Sequence, residues 1–436
     1  MSKKSLPIVE LTLDRIIGGG QTIGTLTEGK KCLVWGGLPG ETVKVQLTKK
    51  KSSFVEGVVI EVISPSNERV TPKDPESHLS TSPWQIMDYK SEQHYKSALI
   101  EEAFELHDIV LPQPITTWSD GVEYHYRNKI EYSFWYDEEK DELGFAFFRR
   151  GTHGKIPVTG TSLATPELEK TARGVVKALN AAKADGRHLK TLLVRSSRSG
   201  NCAWQIYVKE SDFDARGLLD HLGDLAKNGE IIYSNPKSPA SVITQRLYAG
   251  DDIVLEDTIL DIPFRYATEG FFQINLPVYE KALTDMKEWI DPHKPVIDLY
   301  SGVGTIGLTI GGDDVTLIEV NEHAVREMER NIVQLGRVPT ARPILAASEK
   351  ALEHLSGDAT IIVDPPRAGL HEDVIEKLLE VEPQRIVYLS CNPVTQARDV
   401  ARLAEKYGIR HHQGYNFFPR TPHIEHLVIL DKKAAL

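Results

Sequence analysis

The last third of the chain alternates short apolar runs with glycine- or proline-marked loops and helical segments, and this alternation most narrows the folds open to it. Pro295–Tyr300, Val315–Glu319, Ala359–Asp364 and Arg385–Ser390 each read as a buried strand, with a helix over Glu372–Glu380 between the last two. Strands separated by helices imply a doubly wound parallel sheet, and such sheets bind ligands outside the carboxyl ends of their strands. Tyr300, Glu319, Asp364 and Cys391 all fall at those ends. A final apolar strand is expected over Leu427–Leu430.

The rest of the chain has a different texture. Ile8–Leu13, Lys31–Trp35, Thr42–Leu47 and Glu56–Ile63 read as four short strands, with a turn at Gly18-Gly19-Gly20 and no helical period, which predicts a small OB-like β-barrel over residues 1–64. The whole chain of 436 residues carries a net charge of -11, yet residues 1–64 hold nine Lys/Arg against six Asp/Glu. The Lys49-Lys50-Lys51 triplet sits where a phosphate backbone would be met, and binding there should weaken with salt. Prolines at 65, 72 and 75 mark a linker, and Tyr89–Leu106 has a helical pattern. From about 121 to 262 strand-like pieces return, including Arg127–Phe134, Leu143–Phe147 and Thr191–Arg195, interrupted by a helix near Glu167–Leu179, which reads as an α+β middle domain. Arg127, Lys129, Arg149 and Arg150 in this region are candidates to face RNA.

Three cysteines, far apart and odd in number, exclude a disulfide framework and a zinc site. No apolar run reaches the roughly 20 residues of a membrane span, and Met1-Ser2-Lys3-Lys4 leads into polar sequence, so a cytoplasmic protein is expected.

The chemistry is carried by the loops at the strand ends. The glycines in Ser301-Gly302-Val303-Gly304 let backbone approach a ligand, and Glu319 can accept from ribose hydroxyls. The loop is neither G-x-G-x-x-G nor followed by a phosphate-binding lysine, which favours an adenosyl group without a pyrophosphate. Asp364-Pro365-Pro366-Arg367 stops its strand rigidly and holds a carboxylate at the sheet rim. Cys391 closes a strand before an Asn392-Pro393 turn, unlike Cys32 and Cys202, which read as small core residues. A thiolate nucleophile suits that position, and Glu425 in Thr421-Pro422-His423-Ile424-Glu425 is the candidate general base.

These motifs, together with Gly270-Phe271-Phe272-Gln273-Ile274-Asn275, resemble the RNA 5-methyluridine (uracil-C5) methyltransferase family, and residues 1–64 resemble the TRAM domain often fused to it. The resemblance implies an α/β protein of three parts: the barrel (1–64), an α+β middle domain (65–262) whose helix near 89–110 is placed to pack on the catalytic domain, and a Rossmann-like S-adenosylmethionine-dependent catalytic domain (263–436). It implies Gln273, Tyr300, Glu319 and Asp364 as cofactor contacts, Cys391 as nucleophile and Glu425 as proton acceptor. RNA is the implied partner, ribosomal RNA ahead of transfer RNA, and the chain is expected to be a monomer. Some relatives hold an iron–sulfur cluster through four cysteines; His78–Trp84 and Thr159-Gly160-Thr161 contain none, so neither a cluster nor any other metal is expected. Three rivals are weighed. A 5-methylcytidine enzyme characteristically has a cysteine after the proline of its Pro-loop, which Asp364-Pro365-Pro366-Arg367 lacks. A base amino-methyltransferase needs no nucleophilic thiol, and a non-catalytic RNA-binding protein needs none of these motifs.

Overall fold

The computed structural model describes residues 6–434 apart from 153 and 240. Met1-Ser2-Lys3-Lys4, and with it two of the amino-terminal lysines, lies outside the described residues.

Residues Ile8–Ile16, Thr22–Thr25, Lys31–Trp35, Thr42–Lys50 and Phe54–Ser64 form a closed five-stranded barrel, shut by antiparallel pairing of the first strand with the fourth. Alternation of side chains puts Leu11, Leu13, Val34, Val43, Val45 and Val55 inside. Cys32 fills the same core, and burial pushes its thiol up to about 11. The strand Thr22–Thr25, absent from the sequence reading, is only four residues long and follows the glycine turn directly.

The middle region builds a seven-stranded sheet, with Gln245–Ala249 at one edge and Lys155–Val158 at the other. The helices Pro166–Ala181 and Ala215–Leu222 bury their apolar residues against it, around Tyr132, Phe134, Leu192 and Ile206. The Tyr89–Glu105 helix, started by the Asp88 carboxylate accepting from Ser91 N–H at 2.9 Å, lies elsewhere. Its Leu99, Ile100, Ala103 and Phe104 share a core with Ile386, Tyr388 and Val428 of the carboxy-terminal sheet.

That carboxy-terminal sheet has eight strands in the order Ala341–Leu345, Val315–Glu319, Val296–Leu299, Thr360–Val363, Arg385–Ser390, Glu425–Lys432, Tyr407–Tyr415 and Thr117–Trp118. It is doubly wound, as the pattern predicts, but not wholly parallel. Glu425–Lys432 inserts antiparallel between Arg385–Ser390 and Tyr407–Tyr415, pairing Ser390 with His426. Its direction matters, because the start of an antiparallel strand lies at the edge where the parallel strands end. The hairpin Val254–Ile259/Ile262–Ala267 packs Leu255, Ile259, Phe264 and Tyr266 into the core of this sheet. Among the described residues, no helix is long and apolar enough to cross a membrane.

Candidate active site

The loop after Val296–Leu299 turns back on itself through three left-handed residues: Tyr300 (φ 62°), Gly302 (φ 57°) and Gly304 (φ 87°). A Cβ at Gly302 would meet nothing within 4 Å, so the backbone there faces open space and the glycine answers to conformation alone. Glu319, at the end of the neighbouring strand, holds the loop by accepting from Gly302 N–H at 2.9 Å and from Asn321 N–H at 2.7 Å. Asp298 beneath it is fully buried, with one carboxylate oxygen accepting from Gly307 N–H at 2.9 Å and the other without a partner. Burial, then the charges of Asp364 and Glu319, push its carboxyl up to about 8 despite that bond. The buried Ser301 hydroxyl also lacks a partner.

Gln273 approaches from a segment that the middle domain shapes. Asn128 Nδ2 donates to Gln273 O at 3.1 Å, and the buried Arg195 guanidinium donates to Gly270 O at 2.6 Å and Phe272 O at 2.8 Å. Lys129 Nζ donates to Glu269 O at 2.9 Å; burial and the charge of Arg195 lower its ammonium to about 8. Arg195 and Lys129 thus bind backbone carbonyls of this protein. Phe271 is left 70% exposed, a large apolar face beside the buried Gln273.

The third group gathers where Thr360–Val363 and Arg385–Ser390 end and Glu425–Lys432 begins. Asp364 follows the first, Cys391 the second, and Glu425 opens the third. Burial pushes Asp364 up to about 7 and lifts Glu425 well above the usual carboxylate range, with the charge of Asp364 adding to the rise in Glu425. The Cys391 thiol is pushed up to about 12 by burial and by the charges of Glu425 and Asp364, against which Arg367 acts. Asn392 ties the two loops together: its Nδ2 donates to Arg367 O at 2.8 Å, and its side-chain oxygen accepts from Val394 N–H to start the Pro393–Leu403 helix. Arg367 lies 3.3 Å from His423 Nδ1, and burial and that cation push His423 down to about 4, leaving it neutral and able to accept.

The structure therefore brings Asp364, Cys391 and Glu425 into one electrostatic group, and places Tyr300 on the glycine loop and Glu319 at the adjacent strand end that holds that loop. The Gln273 segment is tied to this group through Asn275, whose Nδ2 donates to Phe417 O at 3.2 Å in the loop that leads to Glu425. One residue that sequence reasoning missed is Tyr279, buried on the Leu276–Lys287 helix. Its hydroxyl lies 2.8 Å from Thr305 Oγ1, and the charges of Asp364, Asp298 and Glu425 all act on it. In the sequence it reads as one more apolar-face residue. Among the described residues no three His, Cys, Asp or Glu side chains are grouped to hold a metal.

Residues 347–433, which include Asp364, Cys391 and Glu425, match the model of the tRNA (uracil-5-)-methyltransferase family. An uncharacterised RNA methyltransferase of Enterococcus faecalis is 29% identical over 91% of this chain and 91% of its own. Another, from Nitratidesulfovibrio vulgaris, is 27% identical over 98% and 96%. The fold is also that of the Pyrococcus abyssi tRNA (uracil-54, C5)-methyltransferase solved with S-adenosyl-L-homocysteine, at a TM-score of 0.75 and 22% identity over 97% of this chain and 100% of that one. In fold and in its relatives the chain is similar to RNA methyltransferases. The stretch similar to the uracil-C5 methyltransferase family model holds the nucleophile and base candidates.

Proposed function

We propose that this protein transfers a methyl group from S-adenosylmethionine to carbon-5 of a uridine in RNA, through a covalent bond between Cys391 and carbon-6. The observation that carries the reading is the convergence of one thiol and two raised carboxyls at a single sheet edge. The cofactor fits the loop beside them: the Gly302 backbone is open, Glu319 stands at the adjacent strand end, and the Ser301 hydroxyl is buried without a partner. Tyr300, Glu319, Asp364 and Gln273 are the residues that would hold it. When bound, it supplies an electrophilic methyl on a sulfonium that leaves as a thioether.

The protein's own residues do the rest. Uracil carbon-5 is a poor nucleophile until Sγ of Cys391, having lost its proton, bonds to carbon-6 and sends an electron pair onto the carbonyl as an enolate. Arg367 is the cation that favours the thiolate. Carbon-5 then takes the methyl, and the Glu425 carboxylate removes the proton left on carbon-5. The released pair expels Sγ from carbon-6 and restores conjugation. A raised carboxyl suits this step, because a base works best with a pKa near the operating pH, and such help is worth roughly 10²–10⁴-fold. Extruding the target base costs a few kcal/mol and least in a loop. The barrel's resemblance to a TRAM domain favours, by analogy alone, ribosomal RNA over transfer RNA as the partner, and mapping 5-methyluridine in RNA from cells lacking the gene identifies it.

RNA carrying 5-fluorouridine tests the chemistry, since fluorine at carbon-5 cannot leave as a proton. Wild-type protein should form a stable covalent complex with it and Cys391→Ala none. Methyl transfer surviving in Cys391→Ala refutes the mechanism.

A further inference from the structure

The loop 416–424 that delivers Glu425 has no regular structure of its own, and its polar groups are satisfied largely by residues 84–126. Glu92, fully buried on the Tyr89–Glu105 helix, accepts from Arg420 N–H at 3.0 Å on each carboxylate oxygen and from Asn416 Nδ2 at 2.9 Å. Lys96, one turn on and equally buried, lies 3.1 Å from Glu92 and donates to Asn416 Oδ1 at 2.5 Å and Phe418 O at 3.0 Å. The Arg420 guanidinium donates to Met87 O at 2.7 Å and pairs with Glu123. Tyr126 donates its hydroxyl to Pro419 O at 3.0 Å. Trp84 N–H donates to Arg420 O at 3.1 Å while its indole N–H donates to Gly20 O at 3.0 Å, which ties in the barrel turn.

None of these groups takes part in the chemistry described above. Desolvating charges is costly, and apolar packing of the same volume would hold a helix against a sheet at least as well. The cluster instead binds the backbone of one loop at several points. Arg420 itself is left-handed (φ 67°), a conformation that persists in a non-glycine residue only where its surroundings dictate it. From there Thr421 Oγ1 donates back to Phe418 O at 2.7 Å, and Glu425 follows four residues later.

We propose that Arg420 and Glu92 are positioning residues for the proton-abstraction step: through loop 416–424 they set Glu425 over the site of Cys391. The inference rests on the reading of Glu425 as base, and its test separates the two. With ordinary uridine RNA from cells lacking the gene and methyl-labelled S-adenosylmethionine, a misplaced base leaves the methylated RNA bonded to Cys391. Arg420→Lys keeps the charge but cannot reach Met87 O and Glu123 together. It should accumulate labelled covalent complex and turn over about 10- to 100-fold more slowly, the range expected of a misplacement near 1 Å, with KM for RNA little changed. Glu425→Gln is the control and should trap the same complex. If the control traps it and folded Arg420→Lys does not, the positioning role is refuted, whether or not turnover falls. If the control traps nothing, the base assignment falls and this inference with it. Should Arg420→Lys fail to fold, Tyr126→Phe, which removes one hydroxyl from the same loop, decides by the same readout: complex above the wild-type level upholds the role, and wild-type level refutes it.

Discussion

Replacing Asp298 by asparagine probes whether the carboxyl edge of the sheet holds a protonated acid at neutral pH. Burial, reinforced by Asp364 and Glu319, raises this carboxyl to about 8, whereas in the unfolded chain it titrates near its ordinary value of about 3.9. Between those two values the folded state holds one proton more than the unfolded state. Stability therefore falls as pH rises through that window, by about 1.4 kcal/mol per pH unit, and levels off above pH 8. Asparagine has no such slope. Its amide oxygen can still accept from Gly307 N–H, and its amino group takes the place of the oxygen without a partner. The stability of Asp298→Asn relative to wild type should thus rise by about 2.7 kcal/mol between pH 5.5 and pH 7.5. For a catalytic domain of this size that is a relative gain of about 5–11 °C in melting temperature. Thermal melts of both proteins at the two pH values measure it. A difference that stays constant within about 0.5 kcal/mol means that Asp298 is ionised when folded, and refutes the reasoning.

Two further outcomes are expected. Turnover should climb between pH 6 and pH 8.5 by up to about a decade per unit, because Asp364 near 7, the raised Glu425 and the Cys391 thiol near 12 all act in deprotonated form; a flat or falling profile contradicts this. Gly20→Ala should cost about 1–3 kcal/mol, since its Cβ would lie 2.1 Å from Pro422 Cβ at a φ of 89°, whereas Gly19→Ala, with φ 90° and nothing within 4 Å, carries only the backbone strain. Equal melting temperatures for the two variants would mean the barrel turn is not docked on the catalytic loop.

Much of the architecture was legible because its signals are local. A buried strand announces itself by an apolar run, its end by a proline pair or a glycine turn, and a barrel strand by alternation. Those patterns placed Tyr300, Glu319, Asp364 and Cys391 at strand ends, and the structure puts them at one rim of one sheet. The strand Thr22–Thr25 escaped because four residues are too few to show a period.

Pairing was not legible. The apolar run in Glu425–Lys432 reads the same whichever partner it takes and whichever way it runs, so its antiparallel insertion had no sequence signature. Yet that direction is what carries Glu425 to the rim where Cys391 ends its strand. The Thr117–Trp118 strand at the sheet edge and the Glu92–Lys96–Arg420 cluster join residues some 300 positions apart, and each looks like an ordinary surface or helix residue in its own neighbourhood. The sequence by itself determined which residue types could do the chemistry and which elements bear them, since both follow from neighbours within a few positions. Only the tertiary structure decided their mutual placement, and with it the raised pKa values of Asp298, Asp364 and Cys391, because burial and the approach of like charges arise only when distant segments pack.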